Sequence, residues 1–267
     1  MSLKVDAYEQ SASSIWRLKK SFPEDLVAGL AREVIQRLAS KDSKLDASPQ
    51  TPSVKELEAF CTALISDDDE AAAEIIIGIR AEGMSAELIY LKYLAAAARM
   101  LGEWWNEDRA SFVEVTIGTG RMFAIMRGMR HLFTHPFSPD NKSAVFASAP
   151  GEDHTLGVRM AADIFRKNGW EITLKVGLDH DTLVSELEQT PSSIIGLSIG
   201  GRHSIDALSR LIVALHICCP NAPLVVCGQG IRSIKPILSL MGVDGIACDI
   251  EEAKHQMTEL WDQKLAV

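Results

Sequence analysis

The sequence has no block of clustered lysine and arginine, no paired C-x-x-C cysteines and no long uncharged apolar run. Each absence removes a class of function. Phosphate backbones and anionic membranes are bound through clustered basic side chains. A chain of formal charge −9 without such a cluster is not expected to bind DNA or such membranes directly, although association with a DNA-binding protein stays open. Cys61, Cys218, Cys219, Cys227 and Cys248 are odd in number and lack metal-ligand spacing, which argues against a disulfide framework and against structural zinc. They read as small buried residues, with a redox role for the adjacent pair Cys218–Cys219 as the lesser alternative. No window approaches the roughly 18 uncharged apolar residues that a membrane span needs. The opening stretch MSLKVDAYEQ lacks the apolar core and small-residue cleavage site of a secretory signal, so the expectation is a cytoplasmic protein.

What is present divides the 267 residues into three parts. Residues 1–50 form an N-terminal extension with one amphipathic helix. In SFPEDLVAGLAREVIQRLAS, Ser21 caps, Pro23 sits in the first turn, Glu24 closes a capping box, and Leu26, Leu30, Val34 and Leu38 make one stripe. A polar, proline-bearing linker follows. Residues 51–137 are helical throughout, with capping boxes at Ser53–Glu56 and Ser111–Glu114, a start signal at Ser85 and a left-handed cap at Gly83. Four helices with short connections predict an all-α four-helix bundle. In residues 142–267 the period changes, and five short apolar runs alternate with amphipathic helices. That pattern predicts an α/β, flavodoxin-like five-stranded parallel sheet in the order 2-1-3-4-5.

In that order the loops after strands one and three flank the switch point where ligands bind. His154, in PGEDHTLGV, follows strand one; Gly200–Gly201 end strand three and Gly228–Gln229–Gly230 end strand four. Familiar occupants of this sheet do not fit. A phosphorelay receiver needs an aspartate after strand three, where this chain has LSIGG. A flavin phosphate would meet the carboxylates of Glu152 and Asp153 in the loop after strand one. A dinucleotide fold wants its G-x-G after strand one, not at Gly228. His154 is then either an ordinary loop residue or a metal ligand. Elsewhere the bland reading competes as well: Glu114 serves the helix start, Trp104 and Trp105 are bundle core, and Gly118 and Gly120 mark a close approach by a ligand or another helix. No reactive acid–base pair or nucleophile suggests itself, so no enzyme activity is expected.

The rim motifs resemble the cobalamin-binding fold, whose pattern is Asp-x-His-x-x-Gly, then Ser-x-Leu, then Gly-Gly. Here it reads Glu152-Asp153-His154-Thr155-Leu156-Gly157, Ser198-Ile199-Gly200 and Gly228-Gln229. Upstream, a Trp, nine residues, then Glu-His is similar to Trp104 followed by Glu114-Val115. The resemblance implies a helical-bundle cap ahead of a cobalamin-binding domain. It makes His154 the lower cobalt ligand, with Glu152 on its other ring nitrogen, Ser198 facing the displaced nucleotide base, and Trp104 covering the upper face. It also implies that glycines at the ends of strands three and four leave room for the nucleotide tail. Val115 cannot ligate from above, and no basic helix-turn-helix precedes the bundle. Those departures are most similar to the PpaA/AerR-type anti-repressors, which bind cobalamin and antagonise a PpsR/CrtJ-type repressor of photosynthesis genes.

The implied function is a light- or redox-responsive transcriptional anti-repressor, with cobalt ligation altering how the cap packs on the sheet domain. Two alternatives accompany it: a corrinoid methyl carrier of a methyltransferase system, and a haem-sensing regulator like the SCHIC domain of AppA.

Overall fold

A computed structural model describes residues 51–134, 142–190, 194–201, 204–228 and 231–265. The expected helix at Phe22–Ser40, its linker, His135, His203, Gln229 and Gly230 lie outside the described residues. The chain divides into two compact units, the first ending at His131 and the second beginning at Leu132.

The first unit is helical, with α1 (Val54–Ile65) and α2 (Ala71–Ala81) followed by a longer composite helix. That helix runs as α3 (Ala86–Leu88), a π-helical stretch Ile89–Leu94 and α4 (Ala95–Asn106); α5 (Phe112–Met129) completes the set. Both capping boxes are present, since Ser53 and Ser111 each accept from the amide three residues on and each receive the glutamate in return. Gly83, at φ +101°, ends α2 with the paired bonds of a Schellman turn, Met84 N to Ile79 O and Gly83 N to Arg80 O. The π turn is a departure from the single α-helix expected over this stretch. An apolar repeat does not distinguish a regular helix from one with a single wider turn. Here that turn buries Ile89, Tyr90, Tyr93 and Leu94, and the Tyr90 hydroxyl donates to Met126 O at 3.2 Å.

α1 packs against α2, α4 and α5. Gly118 explains itself in this packing: a Cβ there would lie 2.9 Å from Leu101 Cδ1 and 3.2 Å from Ile65 Cγ2, so a helix, not a ligand, demands the glycine. One helical turn on, the buried Arg121 donates through Nη1 to Ala63 O, Leu64 O and Ser66 O at 3.3, 2.9 and 2.7 Å. A guanidinium thus satisfies the carbonyls that the C-terminus of α1 leaves open, at the end where a helix dipole favours a cation.

The second unit is the expected sheet. Strands β1 (Ser143–Ser148), β2 (Glu171–Lys175), β3 (Ile194–Ile199), β4 (Leu224–Gly228) and β5 (Gly245–Ala247) pair in parallel in the order 2-1-3-4-5. Helices α6 (Leu156–Lys167), α7 (His180–Glu188), α8 (Ile205–Cys218), α9 (Ile231–Leu240) and α10 (Ile250–Leu265) alternate with them. β1 and β3 read as nearly continuous apolar runs because helices cover both their faces. One core layer joins β1, β3 and β4 to α7, α8 and α9. The other joins them to α6 and α10 through an edge-to-face series, Phe146–Phe165–Trp170–Trp261, with centroids 5.0, 5.6 and 5.7 Å apart. Gly196 in β3 makes room for Phe146, whose Cδ1 would lie 2.8 Å from an added Cβ.

In α9, Ile231, Ile234 and Leu238 form the buried stripe. One further expectation needs correction. Among the cysteines only Cys61 is fully buried. Cys218 and Cys219 are free thiols with sulfurs 3.6 Å apart, and burial, aided by Cys218, pushes the Cys219 thiol up to about 12. A thiol that rarely ionises is a poor redox group.

Two substitutions test this account. Arg121→Met deprives the Leu64 and Ser66 carbonyls of this donor, while Ala63 O keeps Ser66 Oγ, and should lower stability by about 2–3 kcal/mol in urea unfolding. Gly228→Ala should cost about 3 kcal/mol or more by the same measurement. Its Cβ would fall 2.0 Å from Ile199 O on a backbone at φ +149°.

Candidate functional site

The site grows out of the turn that links β1 to α6. Ala149 N still bonds Ser198 O at 2.9 Å, so the chain leaves β1 in register with β3. Gly151, at φ +75°, then turns it, and Glu152 N closes on Ala149 O at 3.0 Å. This tight turn directs the Glu152 side chain inward and leaves the next two residues at the surface. Asp153 is exposed, while the carbonyl behind it accepts from Thr155 N.

The Glu152 side chain has 0% exposure, and its carboxylate gathers donors from three segments of the described residues. Oε1 accepts from His154 N at 2.9 Å and contacts His154 Nδ1 at 2.7 Å. Oε2 accepts from Gly200 N and from Ser204 Oγ, each at 2.6 Å. Burial raises the carboxyl's pKa, but the Ser204 hydroxyl, the two amides and the imidazole outweigh it and bring the group down to about 2. The carboxylate is therefore a permanent anion and a pure acceptor. A pure acceptor facing Nδ1 assigns the proton to that nitrogen and, in the neutral ring, the lone pair to Nε2. The His154 side chain is 70% exposed at the C-terminal rim of the sheet. This arrangement, an imidazole oriented by a carboxylate behind it, suits a metal ligand.

Among the described residues no group of three or more His, Cys, Asp or Glu is placed to hold a metal ion. A single imidazole cannot retain a bare ion as a closed protein site does. It suits a metal already held by its own ligand set, as in a tetrapyrrole, whose axial position is the open one. The donor set fits such a group.

The rim glycines answer first to the protein's own atoms. A Cβ on Gly200 would lie 2.8 Å from Glu152 Oε1 and 2.8 Å from His154 Cβ, and one on Gly228 would strike the Ile199 carbonyl. The expectation that they are small only to admit a ligand tail is replaced by this closer reason. Gly157 differs, because nothing lies within 4 Å of a Cβ there. Gly201 is half-buried and its carbonyl accepts from Ser204 N at 3.3 Å. Ser198 lies on β3 between Ser148 and Cys227, and its hydroxyl makes no hydrogen bond among the described residues. Gln229 and Gly230 are outside them.

Trp104 and Glu114 belong to the first unit. Trp104 is buried, with the Arg109 guanidinium 4.8 Å from its ring centroid, while Trp105 is exposed and paired with Phe112. The Glu114 carboxylate accepts from Ser111 N at 2.7 Å and Ser111 Oγ at 2.6 Å, which the helix start requires by itself. Sequence reasoning missed Ser204. It occupies the N-cap position of α8 and reads as a helix cap, yet makes no side-chain cap bond and gives its hydroxyl to Glu152 instead.

No family model matches the chain. It is 24% identical over 174 residues to an uncharacterized 20.5 kDa protein in the bchF-crtJ intergenic region of Rhodobacter capsulatus, spanning 64% of this chain and 91% of that one. The fold is that of the monomethylamine corrinoid protein of Methanosarcina barkeri, with a TM-score of 0.63 at 17% identity over 77% of this chain and 99% of that one. A cobalamin-binding protein from Desulfitobacterium hafniense DCB-2 aligns at a TM-score of 0.41 and 15% identity, covering 77% of this chain and 98% of that one. Among the described residues no helix is long and apolar enough to cross a membrane.

Removing the carboxylate tests the site directly. Glu152→Ala should lower stability by about 1–3 kcal/mol, since the Gly200 amide and Ser204 hydroxyl lose their acceptor. Long-range proton–nitrogen NMR should show Nδ1-protonated His154 in the wild type and a mixture of tautomers in the variant.

Proposed function

We propose that the chain is a cobalamin-binding regulator of the PpaA/AerR type. In this reading it is not an enzyme but an anti-repressor that acts through a PpsR/CrtJ-type repressor protein to control photosynthesis genes in response to light or redox state. The observation that carries the reading is the solvent-facing His154 imidazole, locked by a buried anionic Glu152, with no cluster of three or more metal-ligating side chains among the described residues. His154 would hold the corrin from below through Nε2, with Glu152 fixing the ring, Ser198 offering its unengaged hydroxyl, and Gly157 leaving open space at the start of α6. Bound cobalt supplies an axial coordination position whose occupancy can differ between states.

Support for cobalamin over haem comes from the fold, shared with a protein described as a corrinoid protein. Support for the regulatory role comes from the relative whose name places it beside crtJ. For regulation to follow, cobalamin must favour one conformation of the chain over another, and the repressor must distinguish the two.

Titration with hydroxocobalamin should shift the corrin absorption bands in the wild type. His154→Ala should abolish that shift; an unchanged spectrum in the variant would sink the assignment, and tighter binding of haem with a Soret band would transfer it to haem. Gly157→Ala separates ligand room from folding. It should leave stability unchanged or raise it by up to about 1 kcal/mol, while weakening cobalamin binding in the same titration. DNA binding by a purified PpsR/CrtJ-type repressor should fall when the loaded chain is added.

A further inference from the structure

On the sheet unit, α8 and α9 lie side by side and bury their inner stripes in one core layer. Met241, just past the end of α9, joins them: its carbonyl lies 2.9 Å from His216 Nε2 near the end of α8, and its Sδ 3.8 Å from Ser209 Oγ further up that helix. Along that junction four large apolar side chains face outward: Val213 at 61% and Ile217 at 78% exposure on α8, Ile237 at 43% and Leu240 at 89% on α9. The spacings i,i+4 and i,i+3 make each pair a stripe on its own helix, and the His216–Met241 contact brings the two helices that carry them together. Contiguous apolar surface of this kind marks an interaction site more often than scattered single residues do.

The charge on the outer faces of the two helices is mainly basic. Arg210 stands on the outer face of α8, and Arg232 and Lys235 on α9, all exposed. None of the three makes an ion pair among the described residues. α9, with the sequence IRSIKPILSL, holds no acidic residue, and Asp206 at the start of α8 is the acid that shares this face. The chain as a whole carries −9. Two copies pairing seam to seam would bring these cations face to face, which disfavours that dimer, whereas an acidic helix meets them with opposite charge.

We propose that the α8–α9 seam is a docking surface for an acidic amphipathic helix of a partner protein. The partner's apolar stripe lies between the two rows of exposed side chains, and its carboxylates meet Arg210, Arg232 and Lys235, as in helix-in-groove recognition. This surface is independent of the ligand at His154, so the cobalamin titration and the test below fail separately.

The probe is a synthetic amphipathic peptide with leucines at helical spacing and glutamates on the flanks, beside a counterpart carrying lysine for glutamate. Both are titrated into the full-length chain by fluorescence anisotropy. The glutamate peptide should bind at least about tenfold tighter than its lysine counterpart, with the difference shrinking as salt screens the contacts. Ile217→Ser/Leu240→Ser should abolish binding, and Arg232→Glu/Lys235→Glu should reverse the preference. Each pair alters exposed side chains alone, so urea midpoints should match the wild type. Equal binding of the two peptides, no binding of either, or binding unchanged in the serine pair would overturn the proposal. So would a dimer, seen by sedimentation and lost in the serine pair, which would assign the seam to a second copy.

Discussion

The functional rim depends on one buried anion. The Glu152 carboxylate ties together the loop after β1, the end of β3 and the first residue before α8, through His154, Gly200 and Ser204. An ionised carboxylate without solvent is costly unless its lone pairs are filled. Here backbone amides, a hydroxyl and an imidazole fill them. The same bonds that stabilise the charge also select the imidazole tautomer, so local folding and readiness to ligate are one event.

Gly200 shows why those bonds fit together. Its missing Cβ admits both Glu152 Oε1 and His154 Cβ to within contact of the end of β3, and its bare amide then donates to the carboxylate. A glutamate reaches that amide where a shorter acid would have to move its backbone. Two of the places where the rim motifs depart from the resembled pattern, Glu152 and Gly200, therefore touch each other and compensate.

Much of this was legible in the residues. Strand order followed from alternating apolar runs and the right-handed crossover, and the helix starts at Ser53 and Ser111 followed from capping boxes whose chemistry is local. The Glu152–His154 bond was expected from the resemblance of the loop motif, and its partners lie two residues apart. What escaped was non-local. Ser204 reads as a cap because its own neighbourhood says so, and its actual acceptor lies 52 residues away in the chain. Gly118 and Gly228 owe their identity to atoms of other elements, Leu101 and the Ile199 carbonyl, which no window around them contains. The π turn at Ile89–Leu94 escaped because hydrophobic spacing tolerates one extra residue in a turn.

The distance along the chain between Glu152 and Ser204 also orders events at the ribosome. When His154 first emerges, two of the atoms that will hold its neighbour in place have not yet been synthesised. Until β3 has been made and has threaded in beside β1, the imidazole has no fixed proton and no fixed direction. The geometry of this rim is thereby set only after β3 and the start of α8 have been made, however early the loop that carries the imidazole has emerged.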